Sequence, residues 1–156
     1  MSGTVIGKRG IEENHSVLQG DLANLRVIVV DDNPTNRNIL KLQLEQWGVR
    51  SDCAENGTDA LQLLRSACMR GEPYDLAILD RMMPGMDGLQ LASAIKADPS
   101  IARTRLVMFS GYYEQDEKIK SSGIAAYLVK PVLQATLRQC IAQVMGVAPS
   151  GNLPQS

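Results

Sequence analysis

"LAILDRMMPGMDG", residues 76–88, is the stretch on which the reading of this chain turns. Leu76 to Leu79 form an unbroken apolar run, and the run stops at Asp80. Four apolar residues in a row predict a strand buried on both faces, as in a parallel sheet covered by helices on each side. Turn residues Pro84-Gly85 and the pair Asp87-Gly88 follow closely. Packing alone gives no reason to end a buried strand in a carboxylate.

Working outward, the same unit recurs. RVIVVDD, residues 26–32, predicts a first strand, β1, again ending in acid. Residues 34–47 predict helix α1: Pro34 suits a first turn, Gly48 suits a stop, and Leu40, Leu44 and Trp47 make a core stripe. Residues 49–54 alternate weakly and predict β2. Asn56-Gly57 is a turn, and 58–70 predict α2 with Leu61, Leu64 and Cys68 inward. The opening stretch supplies β3 (75–80), followed by α3 (88–97), β4 (105–110), a short polar α4 (114–121), β5 (125–129) and α5 (132–145), the last with Leu137, Cys140, Ile141 and Val144 on one face. Residues 1–22 show no clean period and read as a linker or tail, 23–146 as one domain, and 147–156 as a second tail.

Five strands alternating with five helices predict an α/β fold, a single doubly wound (βα)5 domain. The expected sheet is parallel and five-stranded, of order 2-1-3-4-5, the flavodoxin-like arrangement. In such a sheet the ligand site lies at the carboxyl ends of the strands where strand order reverses, here between β1 and β3.

Composition narrows the function. The chain has 156 residues, a formal net charge of −1 and no long apolar stretch. That argues against a nucleic-acid surface and a membrane span, and the polar N-terminus carries no signal-peptide core; a cytoplasmic location is expected. Cys53, Cys68 and Cys140 are widely spaced and predict small buried apolar groups rather than disulfides or a thiolate metal site. His15 falls in the N-terminal tail and reads as a solvated side chain.

The predicted strand ends converge. β1 delivers Asp31 and Asp32, β3 delivers Asp80, β4 delivers Ser110, and β5 delivers Lys130 before Pro131. Three clustered carboxylates repel one another unless a cation sits among them. Oxygen donors without sulfur or imidazole favour Mg²⁺ (or Mn²⁺) over Zn²⁺. A lysine and a hydroxyl beside them suit phosphoryl transfer by positioning and charge stabilisation, with Asp80 as the candidate nucleophile.

This set resembles the receiver domain of two-component response regulators. The resemblance rests on Asp31-Asp32, Asp80, Ser110, Lys130-Pro131 and the MPGMDG that follows the acceptor, with separations of 49 residues from Asp31 to Asp80, 30 from Asp80 to Ser110 and 20 from Ser110 to Lys130. It covers about residues 24–146, and DDNPTNR (31–37) resembles receivers attached to hybrid sensor histidine kinases. The resemblance implies that Asp80 takes phosphate from a phosphohistidine on a histidine kinase or histidine phosphotransfer domain. It implies that Asp31, Asp32, Asp80 and the backbone carbonyl of Met82 hold Mg²⁺, and that Lys130 contacts the acyl phosphate with the Lys130-Pro131 peptide cis. Ser110 and Tyr127 are the implied switch pair, acting on a face made of α4, β5 and α5 that is also the implied route to a homodimer. Such a module catalyses its own phosphorylation and dephosphorylation without being a conventional enzyme. Met82 and Tyr112 stand where the family tunes phosphate lifetime. The chain ends soon after α5, so no DNA-binding output domain is expected; an excised hybrid-kinase receiver and a free-standing one both stay open.

Smaller readings accompany this one. Asp87-Gly88 is expected to cap α3 rather than bind metal, and Met82, Met83 and Met86 to pack. On α1, Asn36, Ile39 and Gln43 share a face beside the core stripe, and Asn36 and Ile39 are candidates for docking the donor. Three rivals compete. A haloacid-dehalogenase-like phosphatase would place D-x-D after β1, where this chain has adjacent aspartates. A flavin-binding module would need a phosphate-cradling loop where DDNPTNR is acidic. A pseudo-receiver would have given up the phosphoacceptor set that is present here.

Overall fold

The computed structural model describes residues 22–111 and 123–146. It is a five-stranded parallel sheet of order β2-β1-β3-β4-β5 flanked by helices, the doubly wound arrangement expected. The strands are β1 Arg26–Val30, β2 Arg50–Ala54, β3 Leu76–Asp80, β4 Arg105–Ser110 and β5 Ala126–Val129. The described helices are α1 Pro34–Gln46, α2 Gly57–Met69, α3 Gly88–Ala97 and α5 Gln134–Val144. The predicted α4, Tyr112, His15 and both predicted tails apart from Leu22 lie outside the described residues.

Helices α1, α2 and α3 each start where a side chain can take up free N–H groups. Asn33 accepts from the backbone of Thr35 and Asn36 at 2.8 and 3.2 Å, and Pro34 occupies the first turn of α1. Asn56 caps α2 through the Asp59 N–H at 2.8 Å. Asp87 caps α3 in a reciprocal box with Gln90, both bonds at 2.9 Å. The α5 helix has no side-chain cap: its N-cap is Leu133, so the helix begins two residues later than expected, after extended backbone at Leu133.

The sheet separates two apolar layers. Ile28, Val30, Leu79 and Met108 pack against α2 and α3, while Val27, Val29, Ile78 and Phe109 pack against α1 and α5. Alternation along each strand sends successive side chains to opposite layers. The stripe Leu40, Leu44 and Trp47 is buried as expected. Several expectations need correction. Leu22, assigned to the tail, is 1% exposed and belongs to the α1–α5 layer, because a short turn returns the chain onto Gly48 through Asn24. Cys53 and Cys68 are half-buried rather than buried, and only Cys140 is buried. All three are free thiols; the Cys68 Sγ lies 3.0 Å from the Ser100 carbonyl, to which it donates. Val144 is half-buried at the C-terminal end of α5. Of the three methionines, Met83 and Met86 pack, but Met82 is 58% exposed, since the chain has already left the sheet at that point.

Candidate functional site

Parallel order with the reversal at β1 and β3 brings their carboxyl ends side by side. The strand β1 stops at Val30, one residue before Asp31, yet the Asp31 N–H still reaches the Ala54 carbonyl at 3.1 Å. The chain then bends. Asp31 Oδ1 accepts from the Asn33 N–H at 2.9 Å, and the Arg37 guanidinium donates to the Asp31 carbonyl at 2.6 Å. These two bonds fix Asp31 facing β3 and leave Asp32 exposed on the rim.

Asp80 ends β3 as the last of five buried residues. Asp31, Asp32 and Asp80 each offer a carboxylate oxygen, and these oxygens lie within 4.8 Å of one another. Lys130 enters from the end of β5: its Nζ is 3.1 Å from Asp80 Oδ1 and 3.8 Å from Asp31 Oδ2. Its backbone N–H donates to the Ser110 carbonyl at 2.7 Å, which ties the lysine to the end of β4, and the Lys130–Pro131 peptide is cis. Ser110 is fully buried. Tyr127 is half-buried on β5, packed against the α2–α3 layer.

One cation among three carboxylates does not balance the charge. Burial pushes the Asp80 carboxyl above its usual range, and the neighbouring Asp31 charge pushes it the same way. The Lys130 ammonium and the Met82 backbone N–H pull it back without cancelling the rise. A partly buried, oxygen-only donor set with surplus negative charge suits a hard divalent cation. Among the described residues this is the one cluster of three or more metal-ligating side chains close enough to share an ion.

Some contributors were not legible in advance. Gly88 lies where α3 meets the end of β3: a Cβ there would come 2.5 Å from the Asp80 carbonyl oxygen and 3.0 Å from Arg81 Cα, so no other residue fits without moving backbone. Arg81 turns away from solvent to pair with Asp87 at 3.2 Å, its side chain 13% exposed, bracing the loop after Asp80. Asp87 thus caps α3 and anchors Arg81. The acidic side chain six residues after Arg81 was a weak signal for that pair.

Beside the cluster runs a groove of about 470 Å³ lined by Asp31, Asn36, Ile39, Gln43, Lys130 and Val132, among others. Asn36, Ile39 and Gln43 do share one face, and Ile39 is 50% exposed on the groove wall. Among the described residues, no helix is long and apolar enough to cross a membrane.

Comparison with known proteins places this arrangement. Residues 27–142 match the family model for the response regulator receiver domain. The chain is 34% identical over 128 residues to the sensor histidine kinase GacS of Pseudomonas protegens, covering 79% of this chain but only 13% of that protein. It is 30% identical to the chemotaxis protein CheY of Pseudomonas aeruginosa, covering 77% of this chain and 95% of CheY. The structure superposes with a TM-score of 0.72 on the receiver domain of the histidine kinase CKI1 from Arabidopsis thaliana, solved in complex with Mg²⁺ and BeF₃⁻, at 28% identity and covering 82% of this chain and 94% of that one. With the sheet order, the acidic strand ends and the sequence match agreeing over the same residues, the chain belongs to the response regulator receiver domain family.

Proposed function

We propose that this receiver domain is a phosphoacceptor in a two-component phosphorelay, with Asp80 as the acceptor. The observation that carries the proposal is the partly buried Asp31–Asp32–Asp80 cluster with Lys130 at 3.1 Å from Asp80. An Asp80 oxygen attacks phosphorus, a P–O bond forms, and the P–N bond to the donor histidine breaks; the imidazole leaves with the bonding pair and takes up a proton. Asp31, Asp32, Asp80 and the Met82 backbone carbonyl would hold Mg²⁺, which when bound supplies positive charge to offset carboxylate repulsion and accumulating phosphoryl charge. Lys130 stays close enough to pair with a phosphoryl oxygen in place of the carboxylate it now contacts. Ser110 sits fully buried at the adjacent strand end, in place to hydrogen-bond a further phosphoryl oxygen. Its inward draw, with Tyr127 following, would alter the surface around β5 and α5. That surface is the proposed output face and the proposed route to a homodimer.

The donor is a histidine kinase or a histidine phosphotransfer domain. It approaches over the groove at α1, where Asn36 and Ile39 flank the acidic cluster. The half-exposed Ile39 offers it an apolar contact worth roughly 1–3 kcal/mol when covered. The relation to sensor kinases favours a hybrid-kinase receiver, although the chain spans only about an eighth of the GacS protein it matches.

Two experiments test this. Amide NMR with beryllofluoride and Mg²⁺ should shift the resonances of residues 31–32, 80–82, 110 and 127–130 together, and chelation should reverse it; an unchanged spectrum would make the chain a pseudo-receiver. Ile39→Ala should slow transfer from a protein donor and leave phosphorylation by acetyl phosphate nearly unchanged. Equal slowing of both would place Ile39 in the fold and remove the docking surface.

A further inference from the structure

The opposite edge of the sheet has the opposite chemistry. Three of the five strands begin with arginine: Arg26 in β1, Arg50 in β2 and Arg105 in β4. Arg26 and Arg50 are register partners on adjacent parallel strands, so their side chains leave the same face of the sheet. Beneath that face α2 ends at Arg70, and the chain returns through Glu72 and Tyr74 to β3. Arg26, Arg50, Arg70, Glu72 and Tyr74, with Ser51 and Asp52, line a surface cavity of about 210 Å³.

The charges in this cavity are unevenly used. Arg26 pairs with Glu72 at 3.2 Å. Asp52 accepts from the Tyr74 hydroxyl, and burial first, then this bond, raises the Tyr74 pKa. The guanidinium groups of Arg50 and Arg70 have no ion pair or hydrogen bond among the described residues. Arg70 stands at the carbonyl end of α2, a favourable place for a cation, and keeps its planar fork of donors. Arg50 and Arg70 are exposed side chains that line one small cavity, and a guanidinium can bind an oxyanion through paired N–H donors.

We propose that the Arg50–Arg70 cavity is a binding site for a small phosphate-class oxyanion, at the end of the sheet remote from Asp80. The cavity has room for one tetrahedral oxyanion with a few waters, and three guanidinium groups against two carboxylates leave it net positive. The Asp52 and Glu72 carboxylates exclude a larger polyanion, so the expected ligand is free phosphate or the head of a phosphomonoester.

The test is an amide NMR titration of the whole chain with inorganic phosphate and, separately, glycerol phosphate. Mg²⁺ is left out, so that the acidic edge repels the same ligand. Saturable shifts at residues 50–52 and 70–74 are expected with at least one ligand; tighter binding of glycerol phosphate would identify a phosphomonoester, and tighter binding of phosphate the free ion. Arg50→Gln and Arg70→Gln remove partner-free groups and should fold normally, each weakening binding roughly tenfold or more. Asp52→Asn should tighten it. If sodium chloride at matched ionic strength gives the same shifts, if the shifts do not saturate, or if both arginine variants titrate like the parent, the proposal is overturned.

Discussion

Aspartate serves the two edges of this sheet in opposite ways. At the amino edge every described aspartate near a strand start is answered. Asp75 accepts from the Arg26 N–H at 2.9 Å, and Asp98 accepts from Arg65 Nε at 2.8 Å and from both the N–H and hydroxyl of Ser100. Those bonds hold Asp98 down at about 2. At the carboxyl edge Asp80 is pushed upward by burial and by Asp31, and Lys130 answers it only in part. At the amino edge the paired aspartates stabilise the fold. The other edge holds a charge conflict among its carboxylates that costs stability. Asp98 and Asp80 differ in the sign of their shifts, one lowered by its partners and the other raised by burial and a like charge.

The comparison breaks most severely at Gly88. Gly88→Ala should destabilise by roughly 2–3 kcal/mol, because the added methyl meets the backbone of Asp80 and Arg81 rather than a yielding side chain. Chemical denaturation measures this. At Gly71 the backbone φ is +77° but nothing lies within 4 Å of a new Cβ, so Gly71→Ala should cost only the left-handed strain, about 1 kcal/mol. An equal loss at both positions would mean that α3 does not approach the β3 end as closely as described.

Lys130→Met comes next. It leaves Asp31 and Asp80 without their shared cation and should lower stability without Mg²⁺ by about 1–2 kcal/mol at pH 7. Asp31→Asn should act in the other direction, raising stability without metal while weakening Mg²⁺ binding. If Asp31→Asn lowers stability in the absence of metal, the carboxyl edge holds no conflict.

The pH dependence sharpens the contrast. Asp80 has a folded pKa above its unfolded value, so the folded state binds the extra proton. Its unfavourable contribution is present above the raised pKa and fades as pH falls toward the unfolded value. Asp98 is the reverse case: its contribution is present above the ordinary carboxylate value and is lost as pH falls through about 2. Asp80→Asn should therefore gain stability over the parent at neutral pH, a gain that shrinks on acidification. Asp98→Asn should lose a little, and that loss should vanish near pH 2. As a solvent-exposed pair, Asp98 and Arg65 should give the smallest change in the series, read as Tm against pH.

Much of this contrast was legible before any coordinates. Apolar runs closed by Asp31-Asp32 and Asp80 gave the strands and their acidic ends together, because a buried parallel strand and a polar terminus leave marks in adjacent residues. The cap at Asp87 and the core stripe on α1 were local in the same sense. Leu22 was not legible, since one buried residue before a turn has no period to reveal it. Gly88 looked like an ordinary residue after a cap, because its need arises from the close approach of α3 to the end of β3, a contact in space that leaves no pattern in the sequence. The exposure of Met82 and the inward pairing of Arg81 depend on where the chain leaves the sheet, which hydropathy does not encode. Asn36 and Ile39 were placed correctly on one face because helical periodicity is itself local.

The central claim is that the unresolved charge at the carboxyl edge marks Asp80 as the phosphoacceptor. The most direct measurement is to incubate the chain with acetyl phosphate and Mg²⁺, reduce the product with borohydride, and locate the modified residue by peptide mass spectrometry. An acyl phosphate on aspartate is converted by this treatment to homoserine. The account predicts homoserine at position 80, none when Mg²⁺ is chelated, and none in Asp80→Asn. Homoserine at another aspartate in the parent chain, or undiminished phosphate incorporation in Asp80→Asn, would contradict it.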